Sequence, residues 1–434
     1  MNKKDLQDVS QLREWAFKPK DITFGTLKSL ERVRIGQLSS HRYTSRINTC
    51  LAASHVLSDV TLYQKEQIAS TFVTYADLEV VDYQYMLCGL NDGGIAIYDV
   101  SSIQKGRIYS EVGLVKGGHR GGHKHAVECV QWYPADTGLF ATCSQDKCIK
   151  IWDPNRMRPV DQFKFGCNVL HHHMSPVATK HSLLSASGET GEIILCDLRT
   201  GSSTHRIVAH AERVQLTQWS PRNQHILVSG GKDQAVKMWD VRSAKACLMA
   251  LDMQDNSVLE KKHAKKRLKK TPVAHRSRIT SLCFTSDGLW LLTFSYDGDL
   301  KLWNSSTGEN MNVFYGETYT DLKRTMRIAV SSYTYPDLVF VPSKSRIVTY
   351  NVLSGDLVNV LEGHFSTVYG VLFNPVSMNV YSYSGDRNFI TWTPNQLFNN
   401  DLSDEEEEEL PTVNQQQQTT RTRVTQDTWS SDED

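Results

Sequence analysis

One motif recurs along the chain and constrains its fold more than any other feature. In three copies an Asp lies six residues before a Trp, with alternating apolar residues between them, at 145–153, 232–240 and 296–304. Asn91–Asp99 and Gly385–Thr393 follow the same template. Self-similarity at a fixed period is the signature of a repeat architecture, so the repeat decides the fold before any other pattern does.

Two weaker copies bring the count to seven. They end at Asp197 and Asn351, where Cys196 and Tyr350 take the place of the Trp. From about Val60 to Asn395 the unit is roughly 48 residues long, close to the length of one propeller blade.

Each strong copy also carries a hydroxyl and a histidine upstream of its Asp. A Ser or Thr lies four residues before the Asp, and a His lies 22 or 23 residues before it. The sets are His210, Ser229, Asp233 and Trp239; His275, Thr293, Asp297 and Trp303; His364, Ser382, Asp386 and Trp392; and Thr142, Asp146 and Trp152 with His123 or His125.

These sets contain the residue types of a hydrolase triad, but their repetition favours a structural role. An active site needs one exposed constellation, whereas here the same set recurs in several units. A buried turn Asp must be hydrogen-bonded, and the His, the hydroxyl and the indole N–H can form that network. We therefore predict internal blade networks and no catalytic residue.

Short alternating runs between turn residues predict antiparallel strands, so the expected fold is all-β, a seven-bladed WD-repeat β-propeller. We expect a partly helical N-terminal extension over 1–59, the propeller over 60–396 and a disordered acidic tail over 397–434. The last unit lacks one strand, which we expect Val60–Ile68 to supply.

Charge is distributed unevenly although the net charge is +0. Asp401–Asp434 holds 11 acidic and 2 basic residues, a net of −9, and leaves +9 on the rest. Seven Lys or Arg fall within Lys261–Lys270, inside a predicted inter-blade loop over 255–272. This loop is either a nuclear import signal, a phosphate-contacting loop or a solvated loop without further role.

Several kinds of site are not expected. The nine cysteines include no CxxC pair, which argues against zinc and against a disulfide framework. His171–His173 are adjacent on a predicted strand and point to alternate faces, so a shared metal is not expected, and neither is a cofactor. Since no apolar run approaches 18 residues and Met1–Ser10 is polar, we expect an intracellular protein with no membrane span.

Longer irregular strings make a family resemblance visible between about Glu79 and Pro394. The strings are Ala126–Gly138, His172–His181, Cys283–Leu289 and Leu302–Asn310, with Trp429–Asp434 in the tail. In these strings the chain resembles the Cockayne syndrome WD-repeat proteins of the CSA type. The first 60 residues resemble that family poorly, and Lys261–Lys270 looks like an addition.

The resemblance implies a nuclear, non-catalytic substrate receptor of a cullin-four RING ubiquitin ligase that acts in transcription-coupled nucleotide excision repair. Receptors of this kind dock on the DDB adaptor and through it meet the cullin and RING subunits. The family also implies contact with stalled RNA polymerase II and with repair factors such as the Cockayne syndrome B protein. Direct nucleic-acid contact stays open.

The resemblance also implies where the adaptor binds. Ile226–Asp233 leading to Trp239, Asp240 and Arg242 matches the Trp-Asp-x-Arg docking motif, and Arg199 holds the same offset after Cys196 and Asp197. A planar guanidinium suits bidentate contacts at an interface. The alternative is that Arg242 braces the next blade. Helices within Phe24–Leu57 would form a second docking element, or an extension without fixed structure until bound.

Two other functions remain alternatives. One is a WD-repeat scaffold of another nuclear or chromatin complex, since the fold alone does not specify a partner. The other is a propeller enzyme, which the repetition of the polar sets disfavours.

Overall fold

The computed structural model describes residues 55–61, 71–101, 109–119, 121–243, 247–253, 272–322, 324–331 and 337–394. They form seven antiparallel sheets, six of four strands and one of three. The expected all-β, seven-bladed propeller is therefore confirmed. No helix long and apolar enough to cross a membrane occurs in these ranges.

Blades 1 to 3 each have four strands, taken in chain order from the channel outwards. They are β2 (Val73–Leu78), β3 (Tyr85–Leu90), β4 (Ile95–Asp99) and β5 (Ser110–Val115); β6 (Val127–Trp132), β7 (Phe140–Ser144), β8 (Cys148–Asp153) and β9 (Arg158–Lys164); β10 (Val169–Met174), β11 (Leu183–Gly188), β12 (Glu192–Asp197) and β13 (Ser202–Val208).

Blades 4 to 6 repeat this order, with three described strands in blade 5. They are β14 (Val214–Trp219), β15 (Ile226–Gly231), β16 (Val236–Asp240) and β17 (Cys247–Ala250); β18 (Ile279–Phe284), β19 (Trp290–Ser295) and β20 (Leu300–Asn304); β21 (Ala329–Val330), β22 (Leu338–Ser343), β23 (Arg346–Asn351) and β24 (Leu357–Glu362).

Blade 7 closes the ring with a strand from the other end of the propeller. It contains β25 (Val368–Phe373), β26 (Val380–Ser384) and β27 (Phe389–Pro394), and β1 (His55–Thr61) pairs antiparallel with β27. The closing strand thus exists but begins five residues before the expected Val60. The prediction of Val60–Ile68 was wrong in position: of that range, Val60 and Thr61 lie in β1, and the rest lies outside the described residues.

Three other expectations fall wholly or partly outside the described residues. These are the helices within Phe24–Leu57, the basic loop over 255–272 and the acidic tail over 397–434. Only the end of the first segment is described, and there His55–Leu57 belongs to strand β1 rather than to a helix.

The blades pack through their inner and middle strands, while the outer strands face solvent. The inner strand β6 is buried at five of its six positions, whereas the outer strand β13 is exposed at six of seven. At Gly230 in β15 the absent side chain lets Ile279 of the next blade approach, since a Cβ there would lie 2.8 Å from its Cγ2. Close stacking of this kind buries the sheet faces that one blade alone would expose.

Each blade presents two kinds of turn, which define the two faces of the ring. The Asp face carries the turns between the second and third strands, such as the one that holds Asp233 between β15 and β16. The Arg face carries the turns that follow the third strands, including Arg199 after β12 and Arg242 after β16. In blade 5 the Asp-face turn needs Gly298, whose φ is +86° and whose Cβ would collide with the Thr318 carbonyl.

Candidate functional site

Four residues of blade 4 form a closed hydrogen-bond network under the Asp face. His210 Nδ1 lies 2.8 Å from Asp233 Oδ1, and His210 Nε2 lies 2.7 Å from Ser229 Oγ. The indole N–H of Trp239 donates to the same Oγ at 2.8 Å. If His210 Nδ1 carries the proton, Ser229 donates to Nε2 and accepts from the indole, so every polar atom of the set is satisfied.

Blades 2 and 7 repeat this network with matching distances. In blade 2 the histidine is His123 rather than His125, with 2.8 Å from Nδ1 to Asp146 and 2.7 Å from Nε2 to Thr142. In blade 7 His364, Asp386, Ser382 and Trp392 are joined by contacts of 3.0, 2.8 and 2.8 Å. The hydroxyl-bearing residues of the three blades are fully buried, so the oxygen that a hydrolase would expose is enclosed.

Blade 5 departs from the expected set. His275 Nε2 lies 2.6 Å from Thr293 Oγ1, and Trp303 Nε1 donates to it at 2.8 Å. The carboxylate nearest to His275 Nδ1, however, is Asp299 at 3.4 Å, not Asp297. Asp297 instead accepts a hydrogen bond from Ser295. The assignment of Asp297 was wrong because its offset from Trp303 does not show which way a turn carboxylate points.

Burial and hydrogen bonding shift the pKa values of these groups in opposite directions. Burial lowers the pKa of His123 and of His275, which favours the neutral imidazole. Burial alone would raise the pKa of Asp386, but hydrogen bonds from His364 and from two backbone N–H groups outweigh it and lower the value to about 2. A neutral histidine donating to an ionised carboxylate is a stable pair at neutral pH.

Arg242 lies on the Arg face and is held by its own turn. Its Nε and Nη2 donate to the two carboxylate oxygens of Asp240 at 3.0 and 2.6 Å, and 61% of the side chain is exposed. Its hydrogen bonds to described residues all go to Asp240. The guanidinium is thus fixed in orientation while its outer edge faces solvent.

Trp239 of the expected docking motif and the second candidate arginine, Arg199, occupy different environments. Trp239 is 4% exposed, and its indole N–H donates to Ser229 within the blade network. It therefore stabilises the blade that carries Arg242 and does not itself face a partner. Arg199 is exposed, and its Nε donates to Ser182 Oγ at 3.1 Å. Of the four expected docking residues, Arg199 and Arg242 are therefore the exposed ones that could contact a partner on the Arg face.

Sequence reasoning missed an ion pair that joins two blades that are not neighbours in the ring. Arg327, before β21 in blade 6, reaches blade 1, where Nη2 lies 2.7 Å from Asp77 Oδ1 and Nη1 donates to the Ala76 carbonyl at 2.8 Å. Asp77 also accepts from the backbone N–H of Trp132 in blade 2 at 2.9 Å. The available signal was a single acid in the otherwise uncharged strand β2, VTYADL.

Of the three adjacent histidines of β10, His171 and His173 contact different neighbours. His171 Nε2 lies 3.4 Å from the Tyr75 hydroxyl, while His173 Nδ1 accepts from the backbone N–H of Trp219 at 3.1 Å. Burial lowers the pKa of His173 to about 3. Within the described ranges no cluster of three metal-ligating side chains is found.

Comparisons with known proteins agree with the repeat seen in the ring. The family "WD domain, G-beta repeat" matches residues 117–153, 201–240 and 266–304. The chain is 26% identical to the WD repeat-containing protein ATCSA-1 of Arabidopsis thaliana, across 86% of this chain and 96% of that protein.

Other relatives match over shorter stretches. The Radiation-sensitive protein 28 of Saccharomyces cerevisiae is 26% identical over 43% of this chain and 39% of its own length. The human Pre-mRNA-processing factor 17 is 24% identical over 42% of this chain and 28% of its own length. Together with the seven blades and the near full-length similarity to ATCSA-1, these matches make the chain a WD-repeat β-propeller protein similar to the CSA type.

Proposed function

We propose that the chain is the nuclear substrate-recognition subunit of a cullin-four RING ubiquitin ligase in transcription-coupled nucleotide excision repair. In this role it docks on the DDB adaptor and contacts the cullin and RING subunits indirectly. It presents stalled RNA polymerase II or a partner such as the Cockayne syndrome B protein to the ligase. The observation that carries the proposal is the similarity to ATCSA-1 across almost the whole of both chains.

The geometry of Arg242 supports the adaptor-docking part of the proposal. A guanidinium that is already oriented by Asp240 loses little side-chain entropy when a partner binds it. Its exposed edge can bind a carbonyl or carboxylate of the adaptor. The WD-repeat ring supplies a rigid platform for protein contacts, and the ligase's other subunits supply the ubiquitin-transfer chemistry.

Adaptor co-precipitation with Arg242→Glu tests this arrangement. We expect adaptor recovery to fall about 10-fold or more, since reversing an interfacial charge leaves its partner group unpaired. Arg156→Glu is the matched control, because Arg156 also follows a Trp-Asp pair and is 81% exposed. It should leave recovery unchanged.

The N-terminal segment is tested by deleting residues 1–54, which spares the closing strand β1. If neither this deletion nor Arg242→Glu changes adaptor recovery, the receptor proposal fails.

The second candidate is a WD-repeat scaffold of another nuclear complex. It is favoured by similarity to proteins whose names refer to pre-mRNA processing and ribosome biogenesis. Recovery of such a complex without the adaptor, in a pull-down with the wild-type chain, would support it.

A further inference from the structure

On the Asp face the ring contains a cavity, the mouth, of about 190 Å³ with a polar lining. Its walls come from separate blades: Gln145 from blade 2, Glu189 from blade 3, Arg213 and Gln215 from blade 4, and Arg324 from the segment before β21. Only the folded ring brings these side chains together.

Several N–H donors at or beside this mouth have no acceptor in the part of the chain that the structure describes. Arg213 Nε and Gln215 Nε2 are buried without a hydrogen-bond partner there, and so is Nε of the neighbouring Arg278. Buried donors without partners are costly, so a surface that keeps them is suited to a ligand that accepts hydrogen bonds.

The same arginines lack counterions among the described residues. No carboxylate of the described ranges forms an ion pair with Arg213, Arg278 or Arg324. The Arg278 guanidinium lies 4.1 Å from the centre of the Tyr296 ring, and its pKa is lowered by burial and by the charge of Arg213. Within the described ranges, the hydrogen bonds of Arg324 are long contacts of 3.4 and 3.5 Å to Asn91 Oδ1. Two arginines therefore line the cavity, and a third lies beside Arg213.

Two glutamates also line the mouth. Glu128 accepts a hydrogen bond from Gln145, and burial raises its pKa although Arg324 lowers it. Glu189 accepts from Asn168 Nδ2 at 3.1 Å. Both carboxylates therefore already accept a hydrogen bond from an amide, whereas Nε of Arg213 and Nε of Arg278 have no acceptor among the described residues.

We propose that this mouth, which Arg213, Gln215 and Arg324 line and beside which Arg278 lies, binds the carboxylate side chains of an acidic segment of a partner protein. A planar carboxylate matches the guanidinium fork. A phosphate carries more negative charge than a carboxylate, so Glu128 and Glu189 would repel it more strongly. A cationic segment would be repelled by the arginines. The site lies on the face opposite Arg242, and it does not depend on docking to the ligase adaptor.

Fluorescence anisotropy with the full chain and a labelled peptide of glutamate pairs separated by glycines tests the site. The glutamate peptide should bind at least about 10-fold more tightly than its glutamine counterpart, and added salt should weaken it. Arg213→Gln and Arg278→Gln should each weaken binding by about 10-fold. Glu128→Gln should strengthen it, because a competing carboxylate is removed.

Arg156→Gln, on the opposite face, is the matched control and should leave the affinity unchanged. Thermal melting of each variant checks folding, and Arg278→Gln supplies independent evidence should Arg213→Gln be unstable. Equal affinity for the glutamate and glutamine peptides would overturn the proposal. So would tighter binding of a lysine or phosphoserine peptide, or unchanged affinity in both arginine variants. None of these results depends on adaptor binding, so they leave the proposed ligase role to its own test.

Discussion

Blades 4 and 6 have the same sheet order but are held together by different chemistry. In blade 4 Trp239 pairs with Leu227 across the sheet. Two residues after Leu227 lies Ser229, which is the centre of a polar network. In blade 6 Tyr350 pairs with Val339, and the residue two positions on is Val341, which is fully buried among apolar side chains. Where the indole is missing, the hydroxyl that would bind it is missing too.

Blades 1 and 3 follow blade 6 in this respect. Tyr98 pairs with Met86 and Cys196 pairs with Leu184, and two positions on lie Cys88 and Ala186. Four blades therefore carry the polar set and three replace it with apolar packing. The indole and the hydroxyl therefore occur together or are both absent, because each satisfies the buried polar atom of the other.

The largest effect that separates the two kinds of blade is expected from Ser229→Ala. This change leaves His210 Nε2 and Trp239 Nε1 buried without a partner, at about 1–3 kcal/mol for each group. Urea denaturation of the wild type and the variant measures the loss. In blade 6 the converse change Val341→Ser should also destabilise, since it buries a hydroxyl with no network to join. A gain in stability from Val341→Ser would break the distinction.

A smaller effect, dependent on pH, is expected from the acid of blade 7. Hydrogen bonding holds the pKa of Asp386 at about 2 in the folded chain, below the roughly 3.9 of an unfolded Asp. Its stabilisation is therefore fully present above about pH 4 and is lost as the pH falls towards 2. Asp386→Asn should flatten the decline of stability over this window in acid titrations followed by circular dichroism. An unchanged slope would contradict the assignment.

The smallest effect is expected in blade 5, whose histidine has the loosest acid contact. Asp299 lies 3.4 Å from His275 Nδ1 and its side chain is 43% exposed, so Asp299→Asn should cost no more than about 1 kcal/mol. Asp233→Asn, in the tight network of blade 4, should cost more in the same urea assay. Equal losses would mean that the 3.4 Å contact is as strong as the 2.8 Å one.

The chain's own pattern was sufficient to predict much of the ring. The Asp and Trp spacing, with the upstream hydroxyls and histidines, predicted seven antiparallel blades and which residues meet in blades 4 and 7. In blade 2 it left His123 and His125 as alternatives, and the structure selects His123. These are contacts at a fixed separation within one repeat, so a local pattern specifies them. The same reasoning failed for Asp297, where turn geometry rather than spacing selects the carboxylate.

The sequence by itself determined the repeat, the all-β class and the similarity to CSA-type proteins, because those depend on residue order within short windows. Only the tertiary structure decided that His55–Thr61 closes the ring and that Arg327 of blade 6 pairs with Asp77 of blade 1. It also decided that Arg213 and Arg324 line one cavity on the Asp face. These residues are far apart along the chain, and nothing in a local pattern encodes a distance that exists only after seven sheets have closed into a ring.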